Sequence, residues 1–379
     1  EVTLRWDTTG ADLVDIEPLA TGLPPDGERR VRLSQDRFYT LTARNAEGSA
    51  TQNLSVVALT YDWSALQAEL DTLVPDTVGA YVFELRVDDV TVFRSNAGGL
   101  GPNSSVFVAS ASKALASAAM LTLVRDGLLD LDEPVSTYLN GQIDWPADKA
   151  GITTRMLLNH TSGLARNNPC IDDAIATLRQ CAQVIADLPL RSAPGQAFAY
   201  GGNSYQVAGL VAEIVSGQPF NTFFRQRIAV PLGMPSTGFF GLNPRVAGGA
   251  TSSAPDYLRF MQMLLDNGRV DEERLLPEEL AQQVRQSQIG QLARQDLPPG
   301  AGQFFDGYSL GWWHTRQDAL SNLSAGPEIS DPGLFGTVPW MDFDRRYAAV
   351  LLLQNESVSI GVQTWDRLRP IILAQLAGG

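Results

Sequence analysis

Short runs in which apolar and polar residues alternate dominate the chain up to residue 59. VTLRWD, ADLVDIEP, RRVRL, FYTLTAR and ATQNLSVVAL are rich in Thr, Val and aromatic residues and are separated by the turn clusters TTG, PPDG and NAEG. Alternation between turn signals predicts half-buried strands, so residues 1–59 are expected to form a small antiparallel β-sandwich. From residue 60 the period changes. DWSALQAELDTLV reads as an amphipathic helix, and AYVFELRVDDVTVFRS as a hairpin turning at Asp88 and Asp89. Helical spacing recurs in ITTRMLLNHTSGL, from about Asn203 to Val215, in DYLRFMQMLLDNG and in the closing TWDRLRPIILAQL. Late strands, YSLGWWH and YAAVLLLQ, flank the turn-rich SDPGLFGTVPW. Helices in the middle with strands at both ends predict an α+β domain over residues 60–379, its antiparallel sheet assembled from both ends of that segment.

The stretch VFVASASKALASAAMLTLV, Val106 to Val124, is small and apolar at nearly every position and reads as a buried helix. Ser110 falls at its start and Lys113 three residues on, so hydroxyl and amine share one face of the first turn. That is the arrangement of a serine nucleophile with an amine as its base. A Ser-x-x-Lys match alone is weak, because it fixes two letters. Lysine usage strengthens it: the chain has two lysines, Lys113 and Lys149, against 26 arginines. An arginine stays protonated, whereas a lysine desolvated in an apolar site can lose its proton near neutral pH.

The net charge of -14 disfavours nucleic acid and anionic membranes as partners. No apolar run approaches the roughly 20 residues that span a bilayer. The chain starts at Glu1 without an apolar leader, which suggests processing upstream. Cys170 and Cys181 are the only cysteines, and in an exported protein they would most simply close a short disulfide loop; the alternative is two free buried thiols.

Seven pieces in order carry a resemblance: SASK at Ser110, LLNHTSGL at Leu157, PGQAFAYGGNSY at Pro194, PLGMPSTGF at Pro231, GGATSSAPDYLRFMQMLLDNG at Gly248, YSLGWW at Tyr308 and DPGLFGT at Asp331. From about residue 63 onward the chain resembles the serine β-lactamase and penicillin-binding-protein superfamily, most of all class C β-lactamases and family VIII carboxylesterases. FYTLTARNAEGSATQNLSVVA resembles the last hairpin of bacterial immunoglobulin-like modules, which implies a spacer or docking role for residues 1–59. The larger resemblance implies an α+β serine hydrolase fold, an acyl-enzyme on Ser110, Lys113 as neighbouring amine and Tyr200 as proton shuttle, with no metal or organic cofactor. It implies an oxyanion hole made of the backbone N–H groups of Ser110 and Leu334. Whether Lys113 or Tyr200 is the base stays open.

Two departures bear on substrate. Where the family has Tyr-x-Asn this chain has Tyr200-Gly201-Gly202, with Asn203 one place late, and where penicillin-recognising members carry Lys-Thr-Gly it has Asp331-Pro332-Gly333. An Asp331 at the cleft's edge would repel a substrate carboxylate. Phe198, Gly202, Asn203, Trp312, Trp313, Asp331, Gly333, Phe335 and Trp340 lie in or beside the motifs and are expected to line the cleft. The expected substrate is a neutral, aromatic, short-chain ester, small or part of a polymer. Two alternatives are a β-lactamase or DD-peptidase with the same Ser/Lys/Tyr site, and a non-catalytic penicillin-binding-like protein. The expected setting is bacterial and exported, periplasmic or secreted.

Gly307-Tyr308-Ser309-Leu310-Gly311 also fits the G-x-S-x-G elbow of α/β-hydrolases. An elbow needs a helix directly after the serine, and WWHTRQDALSNLSAGP reads as strand and loop, so Ser309 is not expected to be the nucleophile. His160 and His314 are too few for a zinc site, and His160 is expected to be packed and hydrogen-bonded beneath the active site.

Overall fold

The computed structural model describes residues 2–31, 33, 37–56, 61–298, 301–316, 328–355 and 357–377. Two compact units are present, one of residues 1–63 with 374–379 and one of residues 64–373. Residues 57–60, where the sequence changes character, and 317–327, which follow the G-x-S-x-G stretch, lie outside the described residues.

The smaller unit holds six strands in two antiparallel sheets. Val2–Asp7 pairs with Asp26–Val31, and Ala20–Leu23, Leu13–Glu17, Arg37–Asn45 and Gly48–Val56 follow one another in a four-stranded sheet. Leu4, Val14, Ile16 and Tyr39 form its core. At the NAEG turn, Asn45 Oδ1 accepts the N–H groups of Glu47 and Gly48 at 2.9 and 3.1 Å, an Asx turn that explains why the pattern was readable. The strand Ala20–Leu23 was not among the expected ones, because ATGL offers a single apolar anchor.

The larger unit is built on a seven-stranded, wholly antiparallel sheet. Its order is Phe305–Tyr308, Trp313–Thr315, Glu328–Ser330, Val338–Asp342, Tyr347–Leu353, Tyr81–Val87 and Val90–Ala97, so both ends of the segment do supply strands. Asp88 and Asp89 both adopt positive φ, 47° and 62°, as a two-residue hairpin turn matched to strand twist requires. Tyr347–Leu353 is buried along its whole length, which its unbroken apolar sequence demands. YSLGWWH is not one strand: the chain leaves the sheet at Ser309, turns, and re-enters at Trp313. ITTRMLLNHTSGL is helical only over Thr154–Leu158, because His160 takes a left-handed conformation with φ 61°.

The helix Ser112–Arg125 runs through the centre of this unit and is buried on every side from Ser112 to Leu123, which its Ala- and Ser-rich sequence allows neighbours to approach closely. Gly311, φ 86°, is one such neighbour, and a Cβ there would lie 2.8 Å from Ala114 Cα. The disulfide Cys170–Cys181 is formed, with Cα atoms 5.2 Å apart. The closing helix Val358–Ala377 is anchored mid-length by Arg369, whose Nε donates to both oxygens of buried Glu328 at 2.9 Å, and its first turns line the cleft described next. No described helix is long and apolar enough to cross a membrane.

Candidate active site

Ser110 is not on the long helix itself but in the single 3-10 turn Ala109–Ala111 that leads into it. Ala109 has φ 47°, a conformation costly for a residue with a Cβ, and this sharp turn is held from three sides. Val108 N–H donates to Ala250 O at 3.0 Å, Ala250 N–H to Ser112 Oγ at 2.9 Å, and the Tyr257 hydroxyl to Ala111 O at 2.8 Å. The segment before the helix Ala254–Leu265 is thereby fastened to the turn.

Lys113 points back at the turn: its Nζ donates to Ser110 Oγ at 3.1 Å and to Ala247 O at 2.8 Å. Lys113 is buried, and this burial lowers its pKa to about 8; Asp331 opposes the shift, while Arg245 and Arg166 add to it. Tyr200 faces the same pair, its ring centroid 4.6 Å from Lys113 Nζ. Burial pushes its phenol well above the usual range, Asp331 adds to that, and only the neighbouring Ser110 and Trp313 groups pull the other way. Tyr200 is therefore a neutral phenol near neutrality. Lys113, by contrast, has its pKa brought down toward neutrality.

Gly333 N–H is committed to Thr337 O at 2.8 Å, but Leu334 N–H has no hydrogen-bond partner among the described residues. A Cβ on Gly333 would sit 2.2 Å from Val108 O, so only glycine lets this segment lie against the Ser110 turn and bring Leu334 to its rim.

The cleft over Ser110 has a volume of about 510 Å³. Of the expected lining residues, Gly202, Trp313 and Phe335 do line it, with Ser110, Lys113, Tyr200 and Leu334. The others are elsewhere. Phe198 is fully buried against Tyr308 and Trp313; Trp312 points to the opposite face from Trp313 and stacks on Phe260; Trp340 packs on Phe83. Asn203 is buried at the start of the helix Asn203–Ser216, and Gly333 is in the turn's backbone packing. Asp331 is 0% exposed, its Oδ2 accepting Ala114 N–H at 3.3 Å, and burial raises its pKa well above the usual carboxylate range. It is enclosed and not part of the cleft lining, so the position at the cleft's edge expected of it does not hold.

His160 is packed among Phe198, Tyr200, Tyr205 and Tyr308, but neither ring nitrogen has a partner among the described residues, so the expected hydrogen bond is not found there. Burial, with Lys113 as a lesser cause, holds its pKa well below the ordinary value, and it stays neutral. Ser309 is fully buried and its Oγ donates to Val284 O at 2.8 Å, in a hairpin turn with no helix after it.

Several lining residues carried no motif. Arg166, Asn167 and Ile171 follow the LLNHTSGL piece, Arg245 and Ala247 precede GGATSS, and Phe304, Phe305, Val362 and Gln363 complete the opposite wall. The only sequence signal for the first group is indirect: two glycines at 201 and 202, where side chains would be expected.

A seven-stranded antiparallel sheet backed by a buried helix, with Ser-x-x-Lys turned toward a tyrosine, defines the β-lactamase and penicillin-binding class of serine hydrolase folds. The chain belongs to the beta-lactamase family, whose model matches residues 75–369. It is 33% identical over 143 residues to PbpX of Bacillus subtilis (strain 168), covering 37% of this chain and about a third, 34%, of that protein. A solved structure from Bacteroides dorei DSM 17855 superposes with a TM-score of 0.73 at 26% identity, covering 84% of this chain and 100% of the other. The structure of EstCE1, described as a hydrolase with promiscuous acyltransferase activity, superposes with a TM-score of 0.67 at 19% identity over 82% of this chain and 97% of its own, a likeness of fold.

Proposed function

We propose that the protein cleaves carboxylic esters through an acyl-enzyme on Ser110. The observation that carries this is the buried Lys113 amine, 3.1 Å from Ser110 Oγ, with its pKa lowered to about 8. A substantial fraction is then neutral at mildly alkaline pH and able to take a proton. Ser110 Oγ attacks the ester carbonyl carbon as its proton passes to Lys113 Nζ, and the carbonyl oxygen's new negative charge is met by the N–H groups of Ser110 and Leu334. The tetrahedral species collapses by breaking the bond to the alkoxy oxygen. That oxygen receives a proton from Lys113 through the Tyr200 hydroxyl. Water then attacks the acyl carbon, giving its proton back along the same path, and the carboxylic acid leaves with Ser110 restored.

Esters are favoured over β-lactams because the third motif supplies no lysine to hold a β-lactam's carboxylate. Tyr200, Trp313, Phe304, Phe305 and Phe335 place aromatic rings in the cleft lining, suited to a flat ring on the substrate. The all-β unit is assigned the spacer or docking role, and the disulfide suits an exported protein.

Specificity constants for a short-chain 4-nitrophenyl ester and a chromogenic cephalosporin separate the readings. The ester is expected to be turned over about 100-fold faster or more, a margin of roughly 3 kcal/mol in transition-state binding. A faster cephalosporin would assign a β-lactamase, and turnover of neither would leave a binding protein.

A further inference from the structure

The two glycines after Tyr200 leave no empty space. A Cβ on Gly201 would lie 2.1 Å from the Arg166 carbonyl oxygen and 2.7 Å from Arg166 Cγ, and one on Gly202 would lie 3.1 Å from Asn167 Oδ1. The first neighbour is backbone and cannot move aside. Residues 166 and 167 are moreover tied to the glycine segment: Asn167 Oδ1 accepts Gly202 N–H at 2.7 Å, and Arg166 O accepts Asn203 N–H at 3.2 Å. The glycine pair and the Arg166–Asn167 segment are thus one packing unit. The missing side chains admit a loop from elsewhere into the cleft wall.

What that loop brings is a guanidinium. Arg166 lines the cleft, makes no ion pair among the described residues, and its buried Nε has no hydrogen-bond partner. A guanidinium whose donor is removed from water without an acceptor loses the hydration it had and gains nothing in return. Arg245, the other arginine on the cleft, is different: its Nε is bonded to Asp172 at 2.9 Å. The acidic groups nearby do not serve Arg166, since Asp331 is enclosed on Ala114 N–H and Asp366 stands on the closing helix without an ion pair to it. Among the described residues the cleft therefore holds one guanidinium without an acidic partner, on the segment packed against Gly201 and Gly202 and suited in shape to a carboxylate.

We propose that Arg166, seated by the Gly201-Gly202 gap, binds a carboxylate carried by the substrate, so that the preferred esters are anionic. This rests on the acyl-enzyme reading above.

The test compares kcat/KM for 4-nitrophenyl butyrate, the mono-4-nitrophenyl ester of glutaric acid and 4-carboxyphenyl butyrate, the last two placing a carboxylate on the acyl and the alcohol side. At least one carboxylate ester is expected to be preferred over the neutral one by about tenfold or more, the scale of one charge-assisted pair. Arg166→Gln should bring that ratio to about one, Arg166→Lys should keep part of it, and Arg245→Gln should lower it less than Arg166→Gln does. Gly201→Ala, which forces the loop away while leaving the charge, should also lower the ratio. Hydrolysis of the neutral ester without any carboxylate preference overturns the proposal and leaves the hydrolase reading intact. So does a preference that survives Arg166→Gln or disappears only in Arg245→Gln. If the wild-type protein hydrolyses none of the three, the acyl-enzyme reading itself fails.

Discussion

Replacing Ser110 with alanine is expected to lower kcat/KM for a short-chain aryl ester by on the order of 10⁴-fold or more, because the covalent path is lost. Ser309→Ala is the control. Its hydroxyl is enclosed and bonded to Val284 O, so its loss should cost about 1–2 kcal/mol of stability, read as a lower Tm, and leave most of the turnover. The reverse outcome, with Ser309→Ala inactive and Ser110→Ala active, would reassign the nucleophile to the G-x-S-x-G turn.

Lys113→Met should be nearly as damaging, about 10³-fold or more, since it removes the amine while keeping a side chain of similar length in an apolar surrounding. Lys113→Arg should fail as well, because a guanidinium cannot give up its proton. The pH profile gives the sign. Burial has moved the lysine pKa down to about 8, so the amine is largely protonated and idle below that pH and free above it. The rate should rise about tenfold per pH unit on the acid side and level off past pH ~8. A profile that kept its shape in active Lys113→Met would make Tyr200 the base, against the burial that holds its proton on.

Features set by local chemistry were legible in the sequence. The hairpin at Asp88 and Asp89, the Asx turn at Asn45, the buried strand Tyr347–Leu353 and the order of motifs around Ser110 each depend on a few consecutive residues. Which way a side chain faces was not legible, because neighbours in a motif can lie on opposite sides of a strand. Trp313 lines the cleft and Trp312 the core; Asp331 and Phe335 share a motif, yet one is enclosed against the helix Ser112–Arg125 and the other faces the cleft. Arg166 was the least legible. Its place in the cleft follows from Cβ atoms absent at residues 201 and 202, in a segment distant from it in the chain.

The most direct measurement is mass spectrometry of the intact protein after exposure to a serine-reactive phosphonate, followed by peptide mapping. One adduct per chain on the peptide carrying Ser110, absent from Ser110→Ala and slowed in Lys113→Met, is the expected result. No adduct, or an adduct on Ser309 or another serine, would contradict a nucleophile activated by Lys113 at the mouth of this cleft.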